Sequence, residues 1–364
     1  MPPMDHDERV EAFDPTAGPS RDTSFAMQRA MPSSRSRNQA FPNVYSTRSR
    51  GETDTSVAST SSSKASFTDS TWSLTSMNPP ESSTEAESCY DDGPKELWFE
   101  TRNPYAPVTV VMLHLLFSSH LEWMHVAPKL TEYHLLIPDL PHHSRSRHIK
   151  PFSFALAADL VVDMIKKHAH GGRAHLVGIS TGGYVALEIA RRHPEVVLSI
   201  MTSGSPPLRD VRLKAAQSPR LVHYGLLAAL HSPNSVFFKL SGWAPEFQDS
   251  RLLKEVKRNT TSRLSQYGNR ESAEFQKEAF EEAASKGIRV AMLAGGKQDD
   301  VEAIREAGRL FTGDLNFGDG LRSRSYIVRE AIHAWNLQMP YLFAKGIQAW
   351  VEDWPLPPEF EIMD

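Results

Sequence analysis

The sequence predicts an α/β protein with a mostly parallel central sheet, on three observations. Short apolar runs without polar alternation recur at residues 108–113, 134–137, 174–177, 196–201, 288–293 and 323–328. Such runs are expected of strands buried on both faces. Helically spaced stretches separate them, so strand and helix alternate as in right-handed crossover units. Finally, the run at 174–177 turns sharply through Gly178-Ile179-Ser180-Thr181-Gly182-Gly183 into a helical pattern. A serine at the tip of so tight a turn stands clear of the sheet. Glycine is wanted two residues before and two after it, where side chains have no room.

The elements follow in order along 364 residues, enough for one large α/β domain or two smaller ones. Residues 1–92 contain 29 Ser and Thr and show no sustained hydrophobic period. They read as a disordered, Ser/Thr-rich N-terminal extension, unable to bury enough apolar surface to offset its ordering entropy. From residue 93 the composition changes. Residues 96–100 read as a short strand and Asn103-Pro104 as a turn before the strand at 108–113. Residues 152–170 carry helical spacing and end in Gly171-Gly172. After the strand at 196–201, Ser205-Pro206-Pro207 breaks the pattern, and residues 208–286 are mainly helical (211–230, 251–267 and 273–286). This block reads as a helical lid inserted after the sixth strand. The expected division is therefore an extension at 1–92, a core from 93–207 and 287–364, and a lid at 208–286. A helix at 301–311, a final strand at 323–328 and a closing helix at 340–351 complete the core. No internal repeat is found.

Composition excludes several classes. The net charge is −4, divided as −6 over residues 1–92 (8 Lys/Arg, 14 Asp/Glu) and +2 over the rest (32 and 30). Neither part has the basic excess of a nucleic-acid binder. A single cysteine, Cys89, rules out an internal disulfide framework. No apolar run of about 18 residues is present, so no membrane span is expected. The acidic start has no apolar signal core, and a cytoplasmic location is expected. Oligomeric state is not legible.

Chemistry narrows the search further. A hydroxyl becomes a useful nucleophile when an imidazole takes its proton, and a carboxylate must hold that imidazole in the right tautomer. On an open parallel sheet these groups emerge from the carboxyl ends of strands. Ser180 is the candidate nucleophile. The loop after 288–293 offers Asp299, with Asp300 as the alternative one residue along; one of the pair is also suited to capping the next helix. The loop after 323–328 offers His333, and no other histidine follows His231. The order Ser180, Asp299, His333 is that of sheet-borne triads of this kind. Two backbone amides should face the developing oxyanion, those of Thr181 and of Leu116 in the loop after 108–113. The pairs His142-His143 and His168-x-His170 lack accompanying carboxylates or cysteines at a familiar spacing and read as structural or solvated rather than metal-ligating. The aromatics Tyr224, Phe237, Phe238, Trp243 and Phe247 either line a pocket or form the core of the helical block.

These residues bring a family into view. Leu113-His114, Ile137-Pro138-Asp139-Leu140-Pro141, Gly178-x-Ser180-x-Gly182-Gly183, Gly296-x-x-Asp299 and His333-Ala334-Trp335 all match it, as do residues 184–190 followed by His193-Pro194. Residues 94–354 resemble an α/β-hydrolase-fold serine hydrolase with a lid, of the microbial and fungal type. The resemblance implies an enzyme cleaving an ester or thioester of a small organic substrate, with no metal or cofactor. The alternatives are a catalytically weak ligand-binding relative, an acyltransferase or a carbon–carbon hydrolase using the same triad. Serine at the elbow disfavours dehalogenase and epoxide-hydrolase activity, whose branches carry aspartate there. Four positions depart from the family: Leu115, His142, Ser144 and Ile332 stand where it usually has glycine. The opening strands of the fold are also faint, which leaves the sheet one or two strands short.

Overall fold

The computed structural model of the protein describes residues 95–312 and 323–363. The disordered extension expected at 1–92 lies outside them. Among the described residues eight strands form one sheet: β1 (Phe99–Arg102), β2 (Thr109–Leu113), β3 (His134–Pro138), β4 (Ala174–Ile179), β5 (Val197–Ser203), β6 (Val290–Gly295), β7 (Arg324–Val328) and β8 (Glu361–Ile362). Their spatial order is β1-β3-β2-β4-β5-β6-β7-β8. The two edge pairs, β1 with β3 and β7 with β8, are antiparallel, and all other neighbours are parallel.

The helices are α1 (Phe154–His168), α2 (Thr181–Arg192), α3 (Asp210–Ala216), α4 (Pro219–His231), α5 (Asn234–Ser241), α6 (Ser250–Asn259), α7 (Ser262–Glu274), α8 (Lys277–Ala284), α9 (Val301–Phe311) and α10 (Pro340–Val351). Alternation along the strands feeds two cores. Val111, Leu113, Leu176, Ile200 and Met292 pack under α1, α2, α8 and α9. Val110, Met112, Val177, Met201 and Leu293 pack on the other face against Trp123, Leu130 and the Phe343, Ile347 and Trp350 stripe of α10. Double-sided burial is why these strands lack polar alternation.

Several boundaries differ from the sequence expectation. The first strand begins at Phe99 rather than 96, and β8 pairs beyond β7, so 323–328 is not the last strand. The expected helix at 211–230 is two helices, because Pro219 starts a new one after Ser218. The one at 251–267 breaks at Thr260-Thr261, where Thr261 caps α7 through the Leu264 amide. The sequence places the helical block after the sixth strand; counted along the described residues it follows the fifth, β5. Its last helix, α8, packs on α2 and α9 as part of the core layer. The aromatics sort themselves by burial. Phe237, Phe238 and Trp243 form a core of their own with Leu230, Leu252, Leu253 and Leu337. Tyr224 is exposed, and Phe247 packs on His125 and Tyr341.

Candidate active site

The strand-to-helix turn after β4 holds Ser180 at φ 50°, ψ −116°. A non-glycine residue there is strained by about 1–3 kcal/mol and persists only when its surroundings dictate it. They do so sterically. A Cβ on Gly178 would lie 2.4 Å from the Gly182 carbonyl, and one on Gly182 would lie 2.1 Å from the Leu113 oxygen. A Cβ on Gly183 would meet the hydroxyls of Thr202 and Ser205 at 2.0 and 2.1 Å. Three glycines therefore let α2 start directly against the ends of β2 and β5. The Ser180 amide donates to the Ser203 carbonyl at 2.8 Å, and the Ser205 hydroxyl donates to the Ser180 carbonyl at 2.8 Å.

At the same edge, after β6 and β7, Asp299 Oδ1 lies 2.6 Å from His333 Nδ1, and Asp299 Oδ2 accepts the Gly295 amide at 2.7 Å. The Asp299 side chain is 1% exposed and the His333 ring 33%. The acid is thus hidden behind a ring that still reaches solvent. Burial, the largest effect on His333, favours the neutral ring; the Asp299 hydrogen bond and charge outweigh it and raise the pKa above 6.5. The Gln298 side-chain oxygen accepts the His333 amide at 3.0 Å, fixing the backbone of the histidine loop.

The end of β5 touches both the Ser180 turn and the His333 ring. Gly204, at φ +66°, follows the residue that accepts the Ser180 amide, and a Cβ on it would lie 2.7 Å from His333 Cε1. Trp335 Nε1 donates to Ser203 Oγ at 2.9 Å. Asp300, the alternative acid, is occupied elsewhere. It caps α9 through the Ala303 amide at 3.0 Å and binds Arg209 in a two-pronged pair at 2.7 and 2.9 Å.

Thr181 and Leu116, the expected oxyanion donors, have amides that donate to no other described residue. Thr181 opens α2, where free amides and the helix dipole both favour negative charge. The loop bearing Leu116 is held from behind by neutral imidazoles. His114 donates from Nδ1 to the Leu115 carbonyl at 2.8 Å and accepts the Leu140 amide at Nε2 at 3.0 Å. His143 donates from Nδ1 to the Pro141 carbonyl at 2.8 Å and accepts the Phe117 amide at 3.1 Å. Burial lowers the His114 pKa to about 4 and carries His143 well below 6.5, so both rings stay neutral.

The departures from family glycines now have physical readings. His142 and Ser144 keep left-handed backbone at φ 66° and 40°, the conformation glycine would adopt freely. Asn259, at the end of α6, helps hold this loop. Its oxygen accepts the Ser144 amide at 2.8 Å, and its nitrogen donates to Ser144 Oγ, Phe117 O and Ser118 O at 2.9, 3.2 and 2.8 Å. Leu115 and Ile332 sit outside the positive-φ region, so a side chain is tolerated at each. Helices α3–α7 reach the site at two more points. Gly268 of α7 faces the Leu116 side chain, and Gly242 after α5 faces Ile332.

The other histidine pair is structural. His168 packs on Phe99, and His170 stacks near His134 with Nε2 2.9 Å from the Pro104 carbonyl. Among the described residues no group of three or more His, Cys, Asp or Glu is placed to hold a metal. Also among them, no helix is long and apolar enough to cross a membrane. Sequence reasoning missed Gly204, Gln298, Asn259 and the buried Glu122, because only the tertiary fold brings them to the site.

The fold and this edge define a class, the α/β hydrolases. Residues 108–305 match the family model described as alpha/beta hydrolase fold, and the chain belongs to that family. An AB hydrolase superfamily protein of Gibberella zeae is 29% identical over 269 residues, 73% of this chain and 88% of that protein. A 2-succinyl-6-hydroxy-2,4-cyclohexadiene-1-carboxylate synthase of Pectobacterium atrosepticum is 32% identical over 111 residues, 29% of this chain and 43% of its own length. Among solved structures, a thermophilic esterase from Thermogutta terrifontis superposes with TM-score 0.55 at 16% identity, covering 70% of this chain and 93% of that one.

Proposed function

We propose that the protein is a serine hydrolase that cleaves an ester or thioester of a small organic acid. The observation that carries this reading is the 2.6 Å Asp299–His333 pair at the sheet edge where Ser180 is held in a strained turn. In the proposed reaction His333 takes the Ser180 proton as Oγ attacks the carbonyl carbon. Asp299 keeps the ring in the Nδ1–H tautomer and stabilises the imidazolium. The Thr181 and Leu116 amides receive the oxyanion, His333 protonates the leaving group, and water clears the acyl-enzyme by the reverse sequence. Helices α3–α7 act as the lid over this site, and neither metal nor cofactor is needed. The two amides stay available despite the altered glycines, which argues against a ligand-binding relative without turnover.

A second reading rests on the partial match to the Pectobacterium synthase: the same three side chains would serve a synthase reaction rather than ester hydrolysis. The discriminating experiment compares wild type and Ser180→Ala on short-chain p-nitrophenyl esters with rapid-mixing kinetics. A burst of nitrophenol followed by steady turnover, lowered at least about 10³-fold in the variant, supports hydrolysis. Failure of wild type to turn over any activated ester contradicts it.

A further inference from the structure

We propose that Glu122 is a positioning residue of the catalytic centre, a buried carboxylate that locks the oxyanion loop to the histidine loop and adds negative charge beside His333. The inference rests on the serine-hydrolase reading above.

Glu122 sits on the 3-10 turn His120–Trp123 and is fully buried. Its Oε2 accepts the Leu115 amide at 3.1 Å, and its Oε1 accepts Asn336 Nδ2 at 3.0 Å. The neighbouring Ser118 side chain also favours the charged form of Glu122. Each partner lies next to a reacting group. Leu115 precedes Leu116, whose amide is the candidate oxyanion donor, and Asn336 lies three residues after His333. The Leu115 carbonyl is held by His114 Nδ1 at 2.8 Å and the Ser118 amide at 3.1 Å. The peptide unit is planar, so fixing that carbonyl aims the Leu116 N–H in the opposite direction. With its own amide held by Glu122, Leu115 is fixed on both sides.

A purely structural tie between two loops would be served by a neutral amide. Burying a carboxylate is costly, and among the described residues no salt bridge compensates Glu122. The charges around it show what the acid adds. His333 is the ionisable group that draws Glu122 toward its charged form. Glu122 in turn favours the His333 cation, alongside Asp299 and against Arg212. Burial still raises the Glu122 pKa to about 7, so its charge is most available when the imidazolium forms beside it.

The test replaces the acid with its neutral isostere, Glu122→Gln, and measures kcat, KM and the pH dependence of kcat/KM on an activated ester, with thermal unfolding in parallel. One oxygen acceptor survives and the second is lost with the charge. The expected result is a loss of about 10- to 100-fold in kcat with KM changed less than about threefold, because the effect falls on oxyanion and imidazolium stabilisation. The acid limb of kcat/KM should also move to lower pH, since His333 loses a neighbour that favours its cation. Wild-type kcat and an unmoved limb would overturn the inference and leave the serine-hydrolase reading intact. A lowered melting temperature with an unmoved limb would overturn it too, marking a structural role. An inactive wild type would overturn the underlying reading, and the inference with it. Should Glu122→Gln not fold, Asn336→Ala removes the donor to Oε1 and should lower kcat about three- to tenfold at constant KM; an unchanged kcat there is equally fatal.

Discussion

Gly204→Ala isolates how tightly the fold holds the histidine. The added methyl carbon would lie 2.7 Å from His333 Cε1, 2.8 Å from Nδ1 and 3.3 Å from Asp299 Oδ1. Ordinary carbon contacts are about 3.5–4.0 Å, so ring or loop must yield by about 1 Å. The ring has little freedom to yield, with Nδ1 tied to Asp299 at 2.6 Å and the backbone amide tied to Gln298 at 3.0 Å. Alanine at φ +66° costs about 1–2 kcal/mol by itself. Set against a typical unfolding free energy of about 5–15 kcal/mol, that leaves the protein folded. A displacement of about 1 Å in a catalytic base costs about 10²-fold in rate. The variant should therefore lose about 1–2 kcal/mol in urea unfolding and about 100-fold in kcat/KM on an activated ester. Activity within about threefold of wild type, in a stably folded variant, would refute the claim that the β5 end sets the histidine position.

Other predictions follow from the same geometry. Asp299→Asn should cut kcat by about 10³- to 10⁴-fold by spoiling the tautomer, read in steady-state ester kinetics. Asp300→Asn should leave activity within a few-fold and cost about 1 kcal/mol in unfolding, since it caps α9 and pairs with Arg209. Asn259→Ala removes four hydrogen bonds from buried loops and should cost about 2–4 kcal/mol in urea unfolding, with a fall in kcat as the Phe117–Ser118 segment loosens. Burial lowers the pKa values of His114 and His175 to about 4. A folded pKa below the unfolded one means the unfolded chain binds more protons between about 4 and 6.5. Stability is then full above 6.5 and lost as pH falls toward 4, so the melting temperature should drop between pH 7 and pH 5. A flat profile would contradict the neutral-imidazole scaffold.

The placement of the candidate residues on one sheet edge was largely legible because its demands are local. The turn around Ser180 needs Gly178, Gly182 and Gly183 at fixed offsets, and the strand ends carrying Asp299 and His333 announce themselves by apolar runs. Asp299 against Asp300 was not legible. Both lie in one loop, and only the fold shows that Arg209, 91 positions away, engages the second. Glu122, Asn259 and Gly204 were invisible for the same reason. Each acts through contacts far along the chain, as Glu122 does with Asn336. Helix continuity failed where a capping residue or proline outweighed hydrophobic period, at Ser218-Pro219 and Thr260-Thr261. The departures from the family glycines carried no backbone information of their own: His142 and Ser144 hold left-handed backbone, whereas Leu115 and Ile332 do not.

The central claim is that Ser180 is an activated nucleophile. The most direct measurement is the intact mass of the protein after exposure to a fluorophosphonate, followed by peptide mapping, with Ser180→Ala and His333→Ala alongside. One adduct per chain on the peptide bearing Ser180, absent in Ser180→Ala and strongly slowed in His333→Ala, is the predicted result. An unlabelled wild type, or an adduct mapped to another residue, would contradict it.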